Sequence, residues 1–198
     1  MTDHHDDRPS RNAIDSVVNR CAGAFELMIN RPQGLRQLDL SAVGTRNSFV
    51  ALALAIPIEL YRMSTDQNIG GHVLEPNLLI SDVFLIIGLW MIPLAALHVV
   101  SKPLGFADRF PVYVNASNWA KLTIAYLLLP LTIMQTISPN NGLTLLVLFF
   151  AFFASLAAAF FLTRTTLEKP SQFAFGIVVL EFLVTVTVFV LFSPTPSV

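Results

Sequence analysis

A chain of 198 residues that is 54% hydrophobic and 13% charged, with a mean hydropathy of +0.65, lies outside soluble composition, where about a quarter of residues carry charge. The formal net charge of -1 offers no basic field for nucleic acid and no acidic tail. The single cysteine, Cys21, excludes an internal disulfide and a cysteine-built zinc site.

Residues 1–10 read as a polar, disordered terminus. The run Asp3-His4-His5-Asp6-Asp7 contains metal-ligand types, but an unanchored end favours solvated chain over a metal site. Residues 11–47 form a cytoplasmic, interfacial segment, too long and polar for the start of a signal peptide, so the first span is expected in the mature protein. Within it, residues 12–30 predict an amphipathic helix: Ile14, Val17, Val18, Cys21, Phe25 and Met28 recur at helical spacing opposite Asp15, Asn19, Arg20 and Glu26. Ser10 is placed as its N-cap, and Pro32 and Gly34 as its end. Such a helix beside a span is expected to lie in the cytoplasmic headgroup layer, with docking onto a soluble partner as the competing reading.

Residues 48–192 are expected to hold five spans. A bilayer core of about 30 Å needs roughly 20 apolar residues, and residues 79–100, 119–137, 143–163 and 173–192 meet that length. The first candidate, 48–61, is shorter and contains Pro57 and Glu59. Charge bias decides in its favour, because cytoplasmic loops accumulate Lys and Arg. With five spans, Arg8, Arg11, Arg20, Arg31, Arg36, Arg46, Lys102, Arg109, Lys121, Arg164 and Lys169 share one side, leaving Arg62 on the other. The N-terminus is then cytoplasmic and the short tail 193–198 lies across the membrane. The connection 102–118, with Phe106, Phe110 and Tyr113 among Asp108 and Arg109, is expected to skim the same surface as the amphipathic segment. The predicted fold is thus an all-α polytopic membrane bundle of five transmembrane helices with an N-terminal interfacial helix.

Nucleophile, phosphate-loop and zinc-protease motifs are absent, so neither an enzyme nor a cofactor or metal site is expected. The sharpest polar feature is Glu181, about nine residues into the last span, where an ionisable group is a functional hypothesis by default. Counting inward from Trp119 brings Tyr126 to the same depth, and burial there favours a neutral, hydrogen-bonded carboxyl. Either Glu181 pins two helices together or it couples to a proton or solute. His98, Asp82 and Glu59 lie near span ends and read as hydrated. Pro57, Pro93 and Pro130 are placed inside spans, where each can kink its helix. Ala151, Ala154, Ser155 and Ala158 form a small-residue stripe suited to close helix packing.

Arg31-Pro32 ahead of the first span and Ala125-Tyr126-Leu127-Leu128-Leu129-Pro130 in the third, within a five-span layout, resemble the bacterial branch of the Yip-type membrane protein family. There a Gly-Tyr followed shortly by Pro is often seen at that place. Ala125 replaces the Gly here, and the Asp-Leu-Tyr-Gly-Pro signature of eukaryotic members is absent, although Asp39-Leu40 is present. The resemblance implies a non-enzymatic membrane organiser or partner-binding protein, with no catalytic residues to carry over. The expected partners are the lipid bilayer and other membrane proteins or a second copy, in a bacterial inner membrane. Two further readings stand beside it: a small transporter or channel subunit using Glu181, and an accessory subunit of a larger respiratory or transport complex.

Overall fold

A computed structural model describes residues 8–69, 76–138 and 141–192. The His4-His5 run, the tail 193–198 and the turn residues Pro139 and Asn140 lie outside the described residues. Every regular element among the described residues is helical. In chain order these are α1 (Arg8–Met28), a 3-10 turn (Pro32–Gln37), α2 (Ala42–Asn47), α3 (Val50–Ile69), α4 (Pro76–Ser101), α5 (Phe110–Ile137), α6 (Gly142–Leu167) and α7 (Ser171–Phe192).

Five helical stretches are long and apolar enough to cross a bilayer: Ala42–Thr65, Leu79–Ser101, Phe110–Ile137, Gly142–Leu167 and Ser171–Phe192. The protein is therefore an all-α membrane bundle, as its composition predicts. The first span exceeds the expected 48–61 because α2 runs into α3 through Ser48, and α3 continues past its apolar stretch. Within that extension Arg62 bonds Glu59 one turn back at 2.6 Å, and Thr65 donates to the Tyr61 carbonyl at 3.0 Å.

Two expectations need correction. Residues 110–118 do not skim a surface; they are the first turns of α5, and Tyr113 to Ala120 are all buried. Two of their amide side chains are paired across the bundle, while Asn115 Oδ1 and Trp119 Nε1 stay buried without a partner among the described residues. Asn115 donates to the Asp39 carbonyl at 2.5 Å, and Asn118 donates to Ser48 Oγ at 2.9 Å while accepting from Trp90 Nε1 at 2.8 Å. Once paired, buried amides stabilise the helix crossing instead of opposing it.

The second correction concerns α1. It begins at Arg8, placing Ser10 inside the helix rather than at its cap, and it docks on α5 and α6. Val17, Cys21, Ala24, Leu27 and Met28 pack into the core, with Ala24 and Leu27 fully buried. Arg20 lies over the Trp119 ring, and the Cys21 carbonyl accepts from Thr123. Ile14, Val18, Phe25 and Ile29 remain exposed along an adjacent stripe. The apolar face thus divides into a bundle-facing half and a free half. Asn30 in the left-handed region (φ 63°) ends the helix, and the chain folds back so that Gly23 meets Gly34. A Cβ on Gly23 would lie 2.7 Å from the Gly34 carbonyl oxygen, so this return requires glycine.

Further contacts gather the loops at the same end. Arg109 pairs with Glu168, Arg164 donates to Asn30 Oδ1 at 2.7 Å, and Phe106 packs edge-on against Phe173. At this end the polar groups are also preset: burial pushes the Cys21 thiol up, with partial relief from Thr123, while Ser41 hydrogen bonds hold the Asp39 carboxyl low.

Candidate functional site

Glu181 sits on α7, ten residues after that helix begins, or about 15 Å along its axis. Its carboxylate meets two groups from α5. Tyr113 donates its hydroxyl to Oε2 at 2.5 Å, and the Lys121 ammonium lies 3.4 Å from Oε1. Lys121 in turn lies 5.7 Å from the Trp90 ring on α4, so the cation is held between an aromatic face and a carboxylate.

Helical spacing explains how α5 supplies these groups. Tyr113, Ser117 and Lys121 follow at four-residue steps and share one face, with Ala120 and Ile124 beside them. Val178, Glu181, Phe182 and Thr185 form the facing stripe of α7, and α6 contributes Leu156, Ala159, Leu162 and Thr163. Between the three helices lies a cavity of about 190 Å³, which Met28 of α1 also lines. Its size exceeds that of the ~150 Å³ apolar cavity known to admit benzene. It is partly open, and Phe182 in its lining is also 38% exposed.

The lining is graded. Helices α5 and α7 run away from the end that carries α1, and α6 runs back towards it. Tyr113, Ser117 and Thr163 therefore line the part nearest α1's end, whereas Ile124, Leu156 and Phe182 line the deeper part. Charges and most hydroxyls thus lie towards that end, and the walls beyond them are mainly apolar, with Thr185 of α7 as the polar exception.

The three intramembrane candidates are not brought together. Tyr126 is 53% exposed on the outer face of α5 and is not the partner of Glu181. The expected pairing counted depth from Trp119, but α5 starts at Phe110, which shifts the register by nine residues. Nor is Glu181 isolated: Lys121, placed above at the start of the span 119–137 and counted among the cytoplasmic cations, is its ion-pair partner. His98 is exposed near the end of α4 beside Phe110, with ring centroids 5.2 Å apart. Asp82 is buried at 3% exposure instead of hydrated.

Of the α1 residues, Met28 reaches the cavity and Cys21 is half-buried against α5, while Ile14, Val18 and Phe25 point outward. On α6, Ala158 packs against the core, Ser155 bonds back to the Ala151 carbonyl at 2.8 Å, and Ala154 is exposed. The small-residue stripe is therefore not a closed packing seam. Among the described residues, no three His, Cys, Asp or Glu side chains gather as a metal site. Sequence reasoning missed Tyr113, Ser117, Lys121, Thr163 and Thr185. The four-residue repeat Tyr113-Ser117-Lys121 was their available signal. Comparison of the chain with known protein families, with curated proteins and with solved structures returned no match.

Proposed function

We propose that this is a non-enzymatic membrane protein that works by contact, as an organiser or partner-binding component of a bacterial inner membrane. Its N-terminus is cytoplasmic and its C-terminus lies on the far side. The observation that carries this reading is the divided face of α1. One half is docked on α5 and α6, which fixes the helix in place, and the other presents Ile14, Val18, Phe25 and Ile29. A helix serving only as a tether has no use for a second apolar stripe. The exposed Arg31 and Arg36 near its end suit an anionic surface, each contributing roughly 1 kcal/mol. The Yip-type layout agrees with the same reading.

Replacing Val18 and Phe25 together with Asp tests it. Both side chains are exposed, so the bundle is expected to insert and remain stable while in-cell crosslinks to native neighbours are lost. An unchanged crosslinking pattern overturns the proposal. The polar groups around Glu181 favour a second reading, a solute pathway. Flux from reconstituted vesicles that disappears in Glu181→Ala would replace the contact reading with a transporter.

A further inference from the structure

We propose that the cavity between α5, α6 and α7 binds one phospholipid with a primary-amine, zwitterionic headgroup, its phosphate on Lys121 and its ammonium on Glu181. The charge pattern selects the head. Lys121 and Glu181 already neutralise each other at 3.4 Å, so a ligand must replace both halves of that pair or leave one charge unpartnered in an apolar surrounding. A zwitterion replaces both. An anionic head with no cation satisfies Lys121 and leaves Glu181 with the Tyr113 hydroxyl but no countercharge.

The donors select the amine. A primary ammonium carries three N–H groups, and the Glu181 carboxylate on α7 and the Thr163 hydroxyl on α6 both line the cavity as acceptors for them. A quaternary ammonium donates nothing and is recognised by a cage of aromatic faces, whereas Tyr113 and Phe182 are the only aromatic side chains in the lining.

The grading of the walls selects a ligand with a chain. Beyond Lys121 and Glu181, Ile124, Leu156 and Phe182 offer a mainly apolar track broken by Thr185, and Phe182 also reaches the outer surface of the bundle, where acyl chains would lie. The depth also matches. Thr123, two residues beyond Lys121, donates to the Cys21 carbonyl of α1, so the cavity lies level with the amphipathic helix. A helix of that kind rests where headgroups meet acyl chains. The proposal shares with the contact reading only this placement of α1.

The test is native mass spectrometry of the full-length protein released from micelles containing equal amounts of phosphatidylethanolamine, phosphatidylcholine and phosphatidylglycerol with matched chains. Phosphatidylethanolamine is expected to be retained roughly tenfold over the other two, the ratio one charge-assisted hydrogen bond can supply. Lys121→Met combined with Glu181→Gln is expected to abolish the preference. If that variant does not fold, Thr163→Val keeps both charges and shape and is expected to weaken the preference.

Equal retention of the three lipids, or a preference that survives the double substitution, overturns the assignment. Glycerophosphoethanolamine, which has the head without the chains, is expected not to compete at equal concentration. Competition as strong as the lipid's would make the ligand a soluble zwitterion and overturn the lipid proposal. The Val18 and Phe25 double-Asp variant separates the two ideas, since it is expected to lose its crosslinks and keep its lipid preference.

Discussion

Removing the charges of Lys121 and Glu181 one at a time and then together measures how the site is held. The pair is neither surface nor core, with side chains 26% and 15% exposed, and the N to O distance of 3.4 Å is long for a charge-assisted bond. Its worth should therefore fall between the ~0–1 kcal/mol of an exposed pair and the ~3–5 kcal/mol lost on breaking a buried one. Glu181→Gln leaves the Lys121 ammonium without a countercharge, facing the Trp90 ring and a neutral amide oxygen, and is expected to cost about 2 kcal/mol. Lys121→Met leaves a carboxyl that keeps the Tyr113 hydrogen bond, and is expected to cost about 1 kcal/mol. The double variant strands nothing and should also cost about 1 kcal/mol, giving a coupling of about 2 kcal/mol. Reversible unfolding in mixed micelles, followed by tryptophan fluorescence, measures all four proteins. Trp90 and Trp119 are both buried and Trp90 borders the site. Single substitutions that add to within about 0.5 kcal/mol of the double would show that the ion pair holds nothing, and would refute the account of Glu181 given above.

Three further outcomes are expected. Cysteines at Asn140 and Ser197, in a Cys21→Ala background, should react with an impermeant thiol reagent added outside intact cells, whereas one at Ser171 should not; the reverse pattern inverts the topology. Gly34→Ala should drive a methyl group into the Gly23 carbonyl and loosen α1, destabilising it by ~1–3 kcal/mol and exposing the 29–41 stretch to proteolysis while the spans stay protected. The Cys21 thiol, half-buried and pushed up from its ordinary value by that burial, should alkylate more slowly near neutral pH than a cysteine at the exposed Asn19, because less of it is thiolate. Leu27→Asp, which unseats α1, should remove the difference, and equal rates in the parent would show that α1 is not docked.

What could be read without the structure divides along a physical line. Helices α4, α6 and α7 follow from unbroken apolar runs, since the cost of unpaired backbone groups in hydrocarbon makes a long apolar segment helical. The start of α5 was not legible in the same way. Asn115, Ser117 and Asn118 resemble a polar connection, and only the Asp39 carbonyl, Ser48 and Trp90, distant in sequence, make their burial favourable. Misplacing that start concealed the site. It put Lys121 at the mouth of the span and Tyr113 on the surface, and so left Glu181 without the two groups it touches. The amphipathic pattern of α1 was visible, but periodicity cannot separate a stripe that packs on protein from one that faces outward, because both are apolar.

The docking of α1 and the closure of the cavity are one structural fact. Cys21 touches Thr123 on the α5 wall, Arg20 covers Trp119 on the same helix, and Asn30 accepts from Arg164 on α6, one residue beyond Thr163. Between those anchors Met28 forms part of the lining itself. The helix therefore cannot leave the bundle while the cavity keeps its walls: moving α1 withdraws Met28 and frees Arg164 beside Thr163. The Gly23 to Gly34 contact leaves little room to slide instead, since each backbone already occupies the space a side chain would need. The exposed stripe of Ile14, Val18, Phe25 and Ile29 is thus mounted on the same rigid rod that bounds the site around Glu181.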